Sequence, residues 1–299
     1  MRASVKTIRA AFGFLLFFLA AGAVLQARAD GPQRLDNPTL QLSLTDPGPV
    51  GAETTTNIYF AQVAVGGGYN TVFTLMNTGS TTVNGTLFVT DSNGSPYNIN
   101  LTEPSAPVSA GGRVDAVGSN FPIGPIAPGG TKFFTAAAVN STDPVKNGWA
   151  RVESAGGSLN GVATFAVTSG GAITTIAGVL SSQLVNVATI PIDDNINQNR
   201  FTGYAVANAG TSNINVKVVI VNDTGSVRIP DLNVRELNPL GGSRQVARFF
   251  FQDAIPTVFR GSAVLIGQNN AQFACVALVL QGSLFTAIPV IPEKPPTIN

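Results

Sequence analysis

Residues 77–94 read NTGSTTVNGTLFVTDSNG, and residues 208–225 read NAGTSNINVKVVIVNDTG. Asn77-Thr78-Gly79, the apolar positions Val83, Leu87 and Val89, and the Asp91…Gly94 turn recur at an offset of 131 as Asn208-Ala209-Gly210, Ile214, Val218, Ile220 and Asn222…Gly225. An Asn-x-Gly turn, a β-branched run and an Asp/Asn–Gly hairpin turn make one strand unit. Its recurrence predicts two tandem copies of one folding unit.

Working outward, the same character continues. Thr71–Met76, Gly161–Val167, Val216–Val221 and Ala274–Leu280 are short apolar or alternating runs bounded by Gly, Asn and Ser. Gly and Pro punctuate the chain every 8–15 residues, and no 3.6-residue period is sustained past residue 29. Short, evenly spaced strands of this kind predict sandwiches rather than βαβ units. Later segments also align: Pro128-Gly129-Gly130 with Leu240-Gly241-Gly242, and Gly148-Trp149-Ala150 with Gly261-Ser262-Ala263. The first copy is longer by about 18 residues, and Ser105–Ile126, rich in Pro, Gly and Ser, reads as a surface loop of the kind that carries function.

At the start, Arg2, Lys6 and Arg9 precede the apolar run Ala10–Leu25, followed by Ala27-Arg28-Ala29. This is the pattern of a cleaved signal peptide over 1–29, and the apolar run is short for a membrane span. Cleavage would remove four of the 17 Lys/Arg and none of the 16 Asp/Glu, leaving a net charge of −3. Such a chain has no basic patch for nucleic acid or anionic membrane. The expected organisation is a lead-in over 30–56, repeats over 57–180 and 187–292, and an extended tail over 293–299.

The repeated strings resemble the turn–strand–turn of immunoglobulin-like repeats in bacterial envelope and secreted proteins. RFFFQDAIPTVFRGSAVL (248–265) and the Gly-Gly turns are similar to tandem repeats of uncharacterised secreted proteins from soil-type bacteria. The resemblance implies an all-β chain with two tandem immunoglobulin-like β-sandwich domains after the signal peptide. It also implies a non-enzymatic extracellular module and supplies no catalytic residues.

Chemistry-bearing residues are few. The chain has no His, which removes the commonest general base and metal ligand. No catalytic, cofactor-binding or metal residue is assigned. Asp193, Asn195 and Asn197 have the alternate spacing of a calcium loop, but Tyr204 stands where such a loop needs Glu. Gly66-Gly67-Gly68 reads as a hairpin tip, there being no Lys-Ser/Thr after it. Cys275, the only Cys, reads as a small buried hydrophobe. Trp149 and Phe249-Phe250-Phe251 read as core or plug, with a sugar-stacking platform as the alternative. The expected function is therefore a secreted structural or adhesion-type module of the bacterial exterior. It would bind an unknown protein or polysaccharide through loops or strand edges. The alternative is a carbohydrate-binding protein with an aromatic platform, assisted or not by calcium.

Overall fold

The computed structural model describes residues 56–103, 115–252 and 255–294. The expected signal peptide, the lead-in up to residue 55 and the end of the tail lie outside these residues. The described residues are all-β, with antiparallel ladders throughout and only single 3-10 turns besides strands. Among them no helix is long and apolar enough to cross a membrane.

The first copy runs β1 (Thr56–Val65), β2 (Tyr69–Asn77), β3 (Asn84–Asp91), β4 (Ile99–Thr102), β5 (Asp115–Gly118), β6 (Asn120–Pro122), β7 (Thr131–Ala137), β8 (Lys146–Ala155), β9 (Leu159–Ser169) and β10 (Ala172–Leu180). One sheet has the order β1-β8-β3-β6 and the other β10-β9-β2-β7-β4-β5. The second copy runs β11 (Val187–Asn195), β12 (Arg200–Ala207), β13 (Val216–Asn222), β14 (Val227–Leu232), β15 (Gln245–Phe249), β16 (Val258–Gly267), β17 (Ala274–Gln281) and β18 (Leu284–Ile288). Here β11 and β12 pair only at Asn195–Arg200, so the ladder bends into two halves, β14-β13-β16-β11 and β18-β17-β12-β15. The core of this copy lies between them, built from Ile190, Ile192, Tyr204, Val206, Val218, Ile220, Leu265 and Cys275. Strand for strand the copies agree: β1-β8-β3 matches β11-β16-β13, and β10-β9-β2-β7 matches β18-β17-β12-β15.

This order differs from the immunoglobulin pattern suggested by the turns. In an immunoglobulin domain the first two strands share a sheet. Here β1 pairs with β8 while β2 pairs with β9 and β7. The eight strands β1–β8 follow the 1-8-3-6 and 2-7-4-5 order of a double-sheet jelly roll, to which the β9–β10 hairpin is appended. The turn residues dictate a reversal but not which sheet receives the next strand. The expected loop over Ser105–Ile126 is also corrected in part. Residues 104–114 lie outside the described set, but β5 and β6 follow them, and Phe121 and Ile123 are buried in the first core.

Asn77 and Asn208 explain why the opening motif repeats. The Asn77 side-chain carbonyl accepts the Gly79 N–H at 2.9 Å, and its amide donates to the Thr81 and Ile126 carbonyls at 2.6 and 2.9 Å. Asn208 accepts the Gly210 N–H at 3.0 Å and donates to Ser212, Leu240 and Gly241. Both are buried, and each ties its own turn to the approach of β7 or of its counterpart β15. Asp91 and Asn222 likewise each accept two backbone N–H groups from the hairpin that follows. The structure moves one alignment by two residues. Gly129 and Ser243, both with positive φ, are equivalent, since Gly130 and Arg244 bond alike to Asn77 and Asn208.

The copies are parts of one compact unit. Ala205, Ala207, Ala274 and Val276 of the second copy belong to the same buried cluster as Tyr59, Ala61 and Ala64 of β1. Thr202, Tyr204 and Val206 alternate to the other side of β12, so the docked residues are those on the outer face of the sheet. Trp149, fully buried, anchors this junction by donating its indole N–H to the Ser243 carbonyl at 2.7 Å. Gln245 donates a side-chain amide hydrogen bond to the Ala61 carbonyl at 3.1 Å, and its backbone N–H donates to the Ser92 carbonyl.

Candidate functional site

The residues singled out by sequence fall in different places. Asp193 and Asn195 share one side of β11, while Asp194 points into the second sandwich. Both Asp193 carboxylate oxygens are occupied by cations, Oδ2 by Arg200 at 2.8 Å and Oδ1 by Arg260 at 3.2 Å. Two guanidinium groups neutralise the one carboxylate that the calcium reading needs, and the strand pleat sends its neighbour away. Among the described residues no group of three or more His, Cys, Asp or Glu is placed to hold a metal ion.

The Phe cluster divides between core and surface. Phe250 is fully buried and stacks on Tyr204 with ring centroids 4.5 Å apart. Phe249 and Phe251 remain half-buried beside Phe201, at 6.1 and 4.6 Å from its ring. Phe249 lies across Gly203, where a Cβ would come within 2.9 Å of the ring. Trp149 belongs to the junction and offers no face to solvent. Gly66, Gly67 and Gly68 all have positive φ in the turn between β1 and β2. Cys275 is buried in the second core, where desolvation pushes its thiol up to about 12. At the end of the first sandwich, Val65, Tyr97, Val139, Asp143 and Lys146 line a cavity of about 20 Å³, room for about one water.

Two features escaped the sequence reading. One is the complete burial of Asp194, which accepts the Thr202 N–H at 2.6 Å through Oδ1, while Oδ2 has no hydrogen-bond partner. Desolvation raises its pKa to about 6, with the Asp193 charge adding a little and the Thr202 hydrogen bonds opposing. Strand register makes Val65 its counterpart in the first copy, since Val65 pairs with Lys146 two residues before Gly148, and Asp194 with Phe259 two residues before Gly261. The second is the outer face of the β10-β9-β2-β7-β4-β5 sheet. Across β10, β9, β2 and β7 the cross-strand rows Leu180–Val162–Thr74–Phe133 and Gly178–Thr164–Val72–Thr135 carry no charge, and the second row continues through Thr102 to Asp115 at the β5 edge. Among the described residues Met76, Val117, Phe133, Ile173, Ile176 and Leu180 are large apolar side chains exposed on this one sheet. Only the alternation in Gly161–Val167 hinted at it, through outward residues that are small and uncharged.

The two copies treat this face differently. Register equates Ala205 with Thr74, Ala207 with Met76 and Val276 with Val162. The first member of each pair is buried against β1, and the second faces outward in the first copy. No protein-family model matches the chain, and no curated protein or solved structure matches it either.

Proposed function

We propose that this protein is a secreted, non-enzymatic structural or adhesive module of the bacterial exterior. Its working surface is the outer face of the six-stranded sheet, uncharged over β10, β9, β2 and β7, rather than its loops or strand edges. The observation that carries this reading is the pairing of faces: the repeat buries this face in one copy and presents it in the other. Exposed apolar patches of this kind mark interaction sites. The unit behind it is a tandem of β-sandwiches, the first with jelly-roll strand order in place of the immunoglobulin one. Export is the premise drawn from residues 1–29. The lack of His, and the single free Cys held as a buried thiol, fit a role carried by surface contact.

A carbohydrate-binding reading rests on Phe201, Phe249 and Phe251, three half-buried rings side by side. Trp149 no longer contributes to it. The two readings separate in a retention assay of the purified chain on envelope fractions and insoluble polysaccharides. Retention abolished by Val162→Glu and untouched by Phe251→Ala supports the sheet face. Retention on a polysaccharide lost with Phe251→Ala supports the aromatic platform and removes the sheet-face reading.

A further inference from the structure

Resting on the sheet-face reading, we infer that the partner of the open face is a second copy of this chain, docking the same face in a two-fold sheet-on-sheet dimer. The fold supplies a precedent, since the equivalent face of the second copy is covered by a neighbouring unit of this chain. The docking surface there is β1 with Trp149 as its anchor, and it is already occupied within each molecule.

The remaining candidate is the corresponding surface of the second copy, which would give head-to-tail chains. It lacks the anchors: register replaces Tyr59 by Thr189, Trp149 by Ser262 and Ala64 by Asp193. It also carries the Asp193–Arg200–Arg260 cluster, with Arg260 well exposed. Placing these charges on an uncharged face would strip their water with no partner in return. Over β10, β9, β2 and β7 the open face meets no such penalty against itself, and its one charged row position, Asp115, stands at the β5 edge.

Size agrees with a reversible contact. Six strands at about 4.8 Å spacing and five or six residues at about 3.3 Å give a face of roughly 500 Å². Two such faces bury about 1,000 Å² in total, the lower bound for a specific interface, so micromolar association is expected rather than a permanent dimer. Sheets meeting face to face pack about 10 Å apart, and rows of Thr, Val, Ala and Gly allow that approach.

The test is light scattering coupled to size-exclusion chromatography across micromolar concentrations, on the wild-type chain, Val162→Glu, Leu180→Glu and Arg260→Glu. Circular dichroism confirms that each variant is folded. Leu180 is 75% exposed, so its substitution keeps the test alive should Val162→Glu fail to fold. The expected result is a monomer–dimer equilibrium, weakened at least tenfold by the two face variants and unchanged by Arg260→Glu. A strictly monomeric wild type, a dimer indifferent to both face variants, or open-ended oligomers broken by Arg260→Glu would each overturn the inference. If the wild type is monomeric yet is retained by envelope or polysaccharide through Val162, the dimer falls while the sheet-face function stands. If that retention is absent too, both fall.

Discussion

Replacing Asp194 by Asn should make the protein more stable at pH 8 than at pH 4, relative to wild type. The Asp194 carboxyl is fully buried, has one oxygen without a partner, and ionises near pH 6 in the fold against 3.8 unfolded. Its folded pKa is raised, so the stability it contributes is present in full below about pH 3.8 and is lost as pH rises through 6. A shift of roughly two units corresponds to at most about 3 kcal/mol, of which about 2–3 kcal/mol develops between pH 4 and pH 8. Asn keeps a carbonyl for the Thr202 N–H and removes the titration. Its amide adds a buried donor whose cost, about 1–3 kcal/mol, is the same at every pH. The assay is urea unfolding of both proteins at the two pH values, where other carboxylates titrate in both and cancel. A difference between variant and wild type that moves by less than about 0.5 kcal/mol would refute the reasoning, because the burial of an ionised Asp194 would then cost nothing.

Trp149→Phe should lose about 1–2 kcal/mol, since the Ser243 carbonyl at the junction is left without its donor; chemical unfolding measures it. Asn77→Ala and Asn208→Ala should each cost about 2–4 kcal/mol, the sum of several buried backbone bonds, and the two costs should agree within about 1 kcal/mol because the roles are the same. Gly148→Ala and Gly261→Ala should each lower the melting temperature by several degrees, since a Cβ would sit 2.2 Å from the Thr90 carbonyl oxygen or 2.1 Å from that of Val221. Millimolar calcium should leave the melting temperature unchanged, the Asp193 carboxylate being held by Arg200 and Arg260.

Much of the fold was written locally. Asn77 and Asn208 specify their turns through their own side chains, so a repeated Asn-x-Gly was legible as a repeated structure. Gly148 and Gly261 aligned for a similar reason, each being pressed against a carbonyl of the neighbouring strand. Sheet membership was not legible, because a turn at Asp91 or Gly66 reverses the chain whichever layer receives the next strand. The short strands β5 and β6 escaped because four and three residues give too little alternation beside Pro and Gly. Their stability comes from Phe121 reaching a core that only the folded chain assembles. Trp149 was expected in a core and lies in one, but the junction that buries it joins residues far apart in sequence. The open face was hidden for the opposite reason. Val162, Thr164 and Ala166 suit either side of a sheet, and only the comparison with buried Ala205, Ala207 and Val276 shows what they leave uncovered.

The two copies share one buried cluster with Trp149 at their seam. As the only Trp, it reports the junction alone, while far-UV circular dichroism reports the strands of both copies. Urea unfolding followed by the two signals should give one transition with coincident midpoints. A Trp149 signal lost at clearly lower urea than the strand signal would mean that the copies part before they unfold, and would contradict the shared core.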